Sequence, residues 1–196
     1  MTRARCDWGV ILARGESVRM GRPKGLCRLP GDTSTFLASI CELYGRAGLP
    51  VAVVTRPDLA SLYRAETCGI CVDEWVLLDR GGGTAASCLA AVASLAERAT
   101  HLWFHPVDLP LVTDETLARL RAVSSEVPGA VLVPWHGAHR GHPVVTPVSP
   151  WRDLSSADHP GAMKTLIEDH DVPVRRVPLQ DPGIHQDFDR PEDLIE

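Results

Sequence analysis

The feature that most constrains the fold is an apolar run near the start of the chain that opens directly into a glycine-bearing loop. Residues Trp8–Leu12 have the composition of a buried strand, and the next twelve residues contain glycines, a serine and several cations. Such a loop presents backbone N–H groups at the carboxyl end of a strand, where they stabilise an anion. Arg19 and Lys24 would neutralise a bound polyphosphate. The spacing fits neither the Walker A motif nor the G-x-G-x-x-G dinucleotide motif.

Strand and helix patterns alternate along the rest of the chain. Helical periodicity covers Thr35 to Ala47 and about Thr84 to Arg98, and short apolar runs predict strands at Val51–Val54 and Leu102–Phe104. The remaining predicted strands are Trp75–Leu78, Ala130–Val133, Pro143–Thr146 and Val174–Val177, and the remaining predicted helices begin at Pro57, after Thr113, at Gly161 and at Pro191. This order predicts an α/β sandwich around a mostly parallel sheet, with ligands at the carboxyl ends of its strands.

Length, composition and charge exclude several classes of protein. A chain of 196 residues with 44% hydrophobic and 23% charged residues is expected to form a single domain, residues 1–196. A net charge of −5 argues against nonspecific binding of nucleic acid. No apolar run approaches the length of a membrane span, and the first residues lack the apolar core of a signal peptide. We therefore expect a cytoplasmic protein with no membrane partner.

Carboxylates occur in two places where a metal ion could bind. Asp108 follows the fourth predicted strand, and Asp187 and Asp189 share one side of an extended segment. Magnesium usually takes one or two protein carboxylates and completes its shell with phosphate oxygens and water. The residues by themselves leave alternatives open, because Asp108 could cap a turn and Asp189 could cap the helix that begins at Pro191.

The opening loop closely resembles one family. It is similar to the signature Leu-Ala-(Ala/Gly)-Gly-x-Ser-x-Arg-Met-Gly-x-Pro-Lys of the MobA-like NTP transferases, in particular the molybdenum cofactor cytidylyltransferases. The matching residues are Leu12, Ala13, Gly15, Ser17, Arg19, Met20, Gly21, Pro23 and Lys24. Arg14 departs from the signature, which has a small residue there. The segments that begin at Asp108, Arg140 and Asp187 resemble the family's Asp-x-Pro-Leu-Val, Arg-Gly-His-Pro and acidic C-terminal motifs.

The resemblance implies a Rossmann-like three-layer sandwich of the nucleotide-diphospho-sugar transferase type and a nucleotidyltransferase activity. CMP would pass from CTP to a phosphorylated acceptor, with molybdopterin expected, and pyrophosphate would leave, with Mg²⁺ as cofactor. The residues that the resemblance assigns to catalysis are Arg19, Lys24 and Asp108, and the metal ligands are Asp108 and Asp187. The nucleotide-binding residues are Leu12, Ala13, Gly15, Ser17, Arg19, Lys24, Gly83 and Ser87, and the acceptor-side residues are Arg140, Gly141 and His142.

Alternatives to this function stay open at the level of substrate and of class. The segment Lys24-Gly25-Leu26 also occurs in the guanylyl branch, so GTP could replace CTP, and a sugar or polyol phosphate could replace molybdopterin. A non-catalytic nucleotide-binding chaperone for the cofactor is a different class. A molybdoenzyme or its chaperone is a candidate partner. The long cation Arg14 would crowd the nucleotide or add a phosphate contact.

Three motifs also have purely structural interpretations. Gly83 and Ser87 could belong to a helix N-terminus capped by Thr84. Gly141 would let backbone approach a ligand and His142 would bond a phosphate or a pterin-like ring, but the segment could instead be a tight turn between strands. Cys68-Gly69-Ile70-Cys71 lacks a second pair of ligands at zinc-site spacing, so we interpret it as two partly buried thiols rather than a redox or metal site.

Overall fold

Strands and helices alternate over the residues that the computed structural model describes, 5–153 and 172–194. The helices are α1 (Phe36–Arg46), α2 (Pro57–Glu66), α3 (Gly83–Leu95) and α4 (Asp114–Glu126). The strands are β1 (Asp7–Leu12), β2 (Val51–Thr55), β3 (Glu74–Leu77), β4 (His101–Pro106), β5 (Val131–His136), β6 (His139–Arg140), β7 (Val144–Pro147) and β8 (Val174–Pro178). Short 3-10 turns lie at Val18–Met20, Lys24–Leu26, Ser149–Asp153, Pro182–Ile184 and Pro191–Leu194. The helix predicted from Gly161 lies outside the described residues.

The strands form one mostly parallel sheet, which confirms the predicted α/β class. Its order is β3-β2-β1-β4-β7-β5, and β5 also pairs with β6 and β8. The parallel pairs are β1 with β2 and β4, β2 with β3, and β5 with β8. β7 runs antiparallel to both β4 and β5. The reason is the short β5–β7 connection, because a parallel return needs a crossover of a dozen or more residues.

Helices cover both faces of the sheet, which gives the three layers. One apolar cluster joins the sheet to α1, α2 and α4, and a second joins the opposite face to α3. Successive residues of β4 show the alternation, because Trp103 belongs to the first cluster and Phe104 to the second. All five residues of β2 are buried, as expected for a parallel strand covered on both faces. No helix in the described part of the chain has the length and apolarity that crossing a bilayer requires.

The N-cap residues of α3 and α4 test two predictions made from the sequence. Thr113 caps α4 as predicted, and its Oγ1 accepts from the Thr116 amide at 3.4 Å. At α3 the proposed Thr84 cap is wrong, because Gly82 occupies the cap position at a φ of 68° and offers no side-chain acceptor. A Cβ on Gly82 would lie 2.6 Å from Cβ of Ala86, so this tight entry into α3 requires glycine.

The Cys68–Cys71 segment is more exposed than its sequence suggested. Both cysteines are free and exposed, so the prediction of partly buried thiols is wrong. They lie in the connection from α2 to the edge strand β3, where Ile70 and Val72 pack against the core and Cys71 points away from it. The negative charge of Asp73 raises the pKa of Cys71, which disfavours a reactive thiolate.

The buried carboxylate of Asp181 attaches the segment after β8 to the start of α4. The Asp181 carboxylate accepts from the Thr113 amide and hydroxyl at 2.9 Å each and from the Thr116 hydroxyl at 2.7 Å. Its other oxygen accepts from the Gly183 amide at 2.9 Å. Burial alone would raise the pKa of Asp181, but these hydrogen bonds outweigh it and lower the pKa. The segment after β8 is thereby held at the start of α4.

Substituting Asp181→Ala should lower the free energy of unfolding by about 2–3 kcal/mol, because it leaves the buried Thr116 hydroxyl and Gly183 amide unpaired. Urea unfolding monitored by circular dichroism measures the change. Asp187→Ala is the matched control, since it removes an exposed carboxylate from the same segment and should shift the midpoint little. Equal midpoints for Asp181→Ala and the parent chain would contradict the fastening role.

Candidate active site

A cleft of about 590 Å³ lies at the carboxyl ends of the central strands. Leu12 at the end of β1 is level with Pro106 at the end of β4, so the loops after these strands meet at one edge of the sheet. The predicted residues that line the cleft are Leu12, Ala13, Gly15, Ser17, Arg19, Lys24, Gly83, Ser87 and Asp108. Asp187 and the acceptor-side residues are not part of the cleft wall. The cleft thus lies where the strand-end rule predicts a ligand site, although binding to it stays a prediction.

Three carboxylates gather beside the cleft. Asp108, Asp187 and Asp189 each offer an oxygen, and these oxygens lie within 4.8 Å of one another. The C-terminal segment is held in place because the Phe188 amide donates to the Asp108 carbonyl at 3.1 Å. The buried Phe188 ring also packs against Phe36, with 5.4 Å between centroids. With Phe188 turned inward, its two neighbours point the other way, towards Asp108.

Two cations pair with two of these three carboxylates. Lys24 Nζ donates to Asp108 at 2.6 Å and also to Asp189, and Arg19 donates to Asp189 at 2.7 Å. Burial alone would lower the pKa of Lys24, but its hydrogen bonds to the two carboxylates raise it. The hydrogen bond that Lys24 donates to Asp189 is also the main reason why the pKa of Asp189 is lowered. Of the two predicted metal ligands, Asp108 therefore bonds a predicted phosphate-binding cation, Lys24, whereas Asp187 bonds neither Lys24 nor Arg19.

The loop after β1 has a fixed shape around Ser17. This residue adopts a left-handed φ of 52°, and its hydroxyl accepts from the Lys24 amide at 3.1 Å. Gly21 also has a positive φ, 71°, and its amide bonds back to the carbonyls of Ser17 and Val18. Buried Met20 anchors the turn to the core. The signature residues of this loop thus set its backbone path and bring Lys24 to the carboxylates.

Arg14 lines the cleft, and its side chain bonds groups of the protein. It is only 9% exposed. Its guanidinium donates to the Asp79 carbonyl, to the Gly83 carbonyl at 2.6 Å and to the Ser87 hydroxyl at 3.0 Å. The sequence predicted that a long side chain here would crowd the nucleotide or reach a phosphate. Arg14 bonds two of the residues predicted to bind the nucleotide, Gly83 and Ser87, and its own effect on a nucleotide stays a prediction.

Further charged residues line the cleft that sequence reasoning did not single out. Arg56 is buried at the end of β2 and donates twice to Asp58, at 2.9 Å each. Arg80 lies 3.8 Å from the Glu16 carboxylate and 3.6 Å from that of Asp58. Tyr63 on α2 also reaches the cleft. The strand-end rule could have found Arg56, because it directly follows a buried β-branched strand.

The acceptor-side residues lie on the hairpin between β5 and β7. The Gly141 amide donates to Pro134 at 2.9 Å, and a Cβ on Gly141 would lie 2.3 Å from the Ile184 carbonyl oxygen. The close approach at Gly141 is therefore to the chain's own backbone. Nδ1 of His142 lies 3.2 Å from the carbonyl oxygen of Phe104, and burial lowers the pKa of His142. The acceptor role of Arg140, Gly141 and His142 stays a prediction.

Comparisons with known proteins find a matching family model and named relatives of more than one kind. The family model described as the MobA-like NTP transferase domain matches residues 9–174. A Mycobacterium tuberculosis protein named "Probable molybdenum cofactor guanylyltransferase" is 33% identical over 136 residues, which cover 66% of this chain and 62% of that relative. The chain thus matches less than two thirds of the relative's length.

Solved structures of Rv0371c from Mycobacterium tuberculosis H37Rv share the whole fold. One superposes with a TM-score of 0.78 at 26% identity and covers 98% of this chain and 96% of its own. A second, described as a complex with manganese, superposes with a TM-score of 0.74 at 25% identity and covers 97% of this chain and 96% of its own. These structures match the Rossmann-like three-layer sandwich that the sequence predicted.

Replacing Lys24 with methionine should raise the pKa of Asp189 towards its usual value, because the main hydrogen bond that lowers it is lost. Folding depresses this pKa, so the ion pair stabilises the fold above the unfolded-state value of about 3.9, and this contribution is lost as the pH falls. A carboxyl-detected NMR titration measures the shift. Arg19→Ala should move the same pKa less, since Lys24 is the larger cause of the shift and Arg19 a smaller one. An unchanged pKa in Lys24→Met would contradict the pairing.

Proposed function

We propose that this chain, which belongs to the MobA-like NTP transferase domain family, transfers a nucleotidyl group from a nucleoside triphosphate to a phosphorylated acceptor and releases pyrophosphate. The observation that carries this proposal is the meeting of Lys24 with Asp108 and Asp189 at the rim of a strand-end cleft. Such an arrangement supplies cations for phosphates and oxygen ligands for a metal. Mixing pyrophosphate-detecting enzymes with the chain, an NTP, Mg²⁺ and molybdopterin tests it directly.

The carboxylates fit a hard divalent cation. Asp108, Asp187 and Asp189 offer only oxygen donors, and these come close enough together to share one ion. We propose Mg²⁺ on Asp108 and Asp187, with Asp189 as a third ligand. The related Rv0371c structure described as a manganese complex supports a divalent ion in this fold. When bound, such an ion would offset negative charge on the reacting phosphates.

Lys24 and Arg19 would bind the triphosphate. Both now donate to carboxylates, and Lys24 is partly buried. If those carboxylates coordinate a cation, the two side chains need another anionic partner, and the phosphates supply it. Their charge would stabilise the pyrophosphate as it leaves. The chain otherwise contributes positioning, through the loop held by Ser17, so no covalent protein nucleophile is required.

Different observations support the two candidate nucleotides, CTP and GTP. The likeness of Arg140–Pro143 and Gly21–Lys24 to the cytidylyl branch supports CTP with molybdopterin. The name of the relative, a molybdenum cofactor guanylyltransferase, supports GTP with the same acceptor. We therefore propose a molybdopterin nucleotidyltransferase, with GTP as a second candidate of equal standing. A molybdoenzyme or its chaperone would receive the product. A non-catalytic cofactor chaperone would bind nucleotide without releasing pyrophosphate, which separates the two classes.

Changing Asp108 to asparagine should lower kcat/KM by about a thousandfold or more, because it removes a metal ligand and an anionic partner of Lys24 in one step. Steady-state pyrophosphate release measures the loss, and electron paramagnetic resonance should show weaker Mn²⁺ binding. Asp114→Asn, an exposed carboxylate at the start of α4, is the control. Near-normal turnover in Asp108→Asn, with a normal circular dichroism spectrum, would rule out the metal role.

Direct titration with CTP and GTP in the presence of Mg²⁺ should reveal a preference of tenfold or more for one of them. Discrimination is sharp when the wrong base leaves buried polar groups of the site unpaired. Calorimetry gives both dissociation constants, and ATP and UTP serve as controls. A preference for CTP supports the cytidylyl branch and one for GTP supports the guanylyl branch. Equal binding of all four nucleotides would contradict a base-selective transferase.

A further inference from the structure

One wall of the cleft contains three successive glycines. Gly81, Gly82 and Gly83 have φ values of 101°, 68° and 57°, and all three are exposed. Glycine loses more backbone freedom on ordering than other residues, so a run of three has little tendency to hold one shape. We call residues 81–87 the glycine wall; Gly81, Gly83, Thr84 and Ser87 of this segment line the cleft.

Arg14 forms hydrogen bonds with groups before, within and after the glycine run. Its guanidinium bonds the carbonyl of Asp79 before the run, the carbonyl of Gly83 at the end of the run, and the hydroxyl of Ser87 one turn into α3. The last two contacts measure 2.6 and 3.0 Å. A guanidinium is a rigid planar fork whose donors lie on three nitrogens, so it can reach three partners that are spread apart, whereas the three donors of a lysine ammonium lie on one atom.

No ion pair accounts for the burial of Arg14. Within residues 5–153 and 172–194, no carboxylate lies within ion-pair distance of it. Burial, and the like charge of Arg56, lower the pKa of Arg14, so its surroundings disfavour the charged form. A buried charge is tolerated where it is well hydrogen-bonded. Two of the three partners of Arg14, Gly83 and Ser87, belong to the glycine wall, and the third, Asp79, comes shortly before it.

We propose that Arg14 is a positioning residue that fixes the glycine wall against the end of β1, so that the nucleotide-binding side of the cleft is formed before the NTP arrives. The proposal rests on the proposed function only for the identity of the ligand. The effect of Arg14 is on binding, because a preformed wall spares the NTP the entropy of ordering the loop.

The test compares Arg14→Ala and Arg14→Lys with the parent chain by two measurements. Hydrogen exchange without ligand should become at least tenfold faster in residues 81–87 of both variants. Calorimetry without acceptor should show dissociation constants for CTP and GTP raised about tenfold and to a similar degree. At saturating NTP, kcat should stay within about threefold. Arg28→Ala is the matched control, because Arg28 also bonds a backbone carbonyl but lies on the surface away from the cleft.

Each other outcome overturns the proposal. Unchanged exchange in residues 81–87 would show that Arg14 does not hold the wall. Weaker binding of one nucleotide alone would make Arg14 a direct base contact, and full rescue by lysine would make it a mere charge. If Arg14→Ala fails to fold, Ser87→Ala removes one of the three bonds and should still speed exchange in the same segment. Failure of the proposed function is seen separately, as no pyrophosphate release by the parent chain.

Discussion

The pairing of Lys24 with Asp108 and Asp189 is the interaction on which the geometry of the site depends. It joins the loop after β1, the loop after β4 and the C-terminal segment, which are far apart in sequence. Like charges of three carboxylates would otherwise repel one another at this edge of the sheet. The hydrogen bond from the Phe188 amide to the Asp108 carbonyl holds the C-terminal segment beside the loop after β4. Earlier in the same segment, the hydrogen bonds of Asp181 attach it to the start of α4. Ion pairs and backbone hydrogen bonds therefore join the three segments at one edge of the sheet.

These ion pairs also explain how one set of residues can serve both metal and phosphate. Lys24 and Arg19 take the place of a cation for Asp108 and Asp189, and these two carboxylates take the place of phosphates for the cations. A substrate that brings its own cation and anion can exchange partners with both sets. On the neighbouring wall, Arg14 shows another use of a cation, since it bonds backbone carbonyls and restrains a flexible loop.

Much of this arrangement could be predicted from the sequence. The strand-end rule placed the loop from Ala13 to Lys24 beside Asp108, and alternation placed Asp187 and Asp189 on one side. The partners of long side chains could not be predicted, because they depend on packing between distant segments: Lys24 pairs across the site, and Arg14 turns to Gly83. Local propensity also failed at Gly82, where a tight approach to Ala86 displaced the expected cap. The exposure of Cys68 and Cys71 followed from β3 lying at the sheet edge.

The most direct test of the central claim is a crystal structure with Mn²⁺ and a non-hydrolysable analogue of the preferred nucleotide. We expect the ion on Asp108 and Asp187, and Lys24 Nζ moved from Asp108 to within hydrogen-bond distance of a phosphate oxygen. The glycine wall should keep its present bonds to Arg14. A structure in which Lys24 still bridges Asp108 and Asp189, with the nucleotide bound elsewhere, would contradict the account.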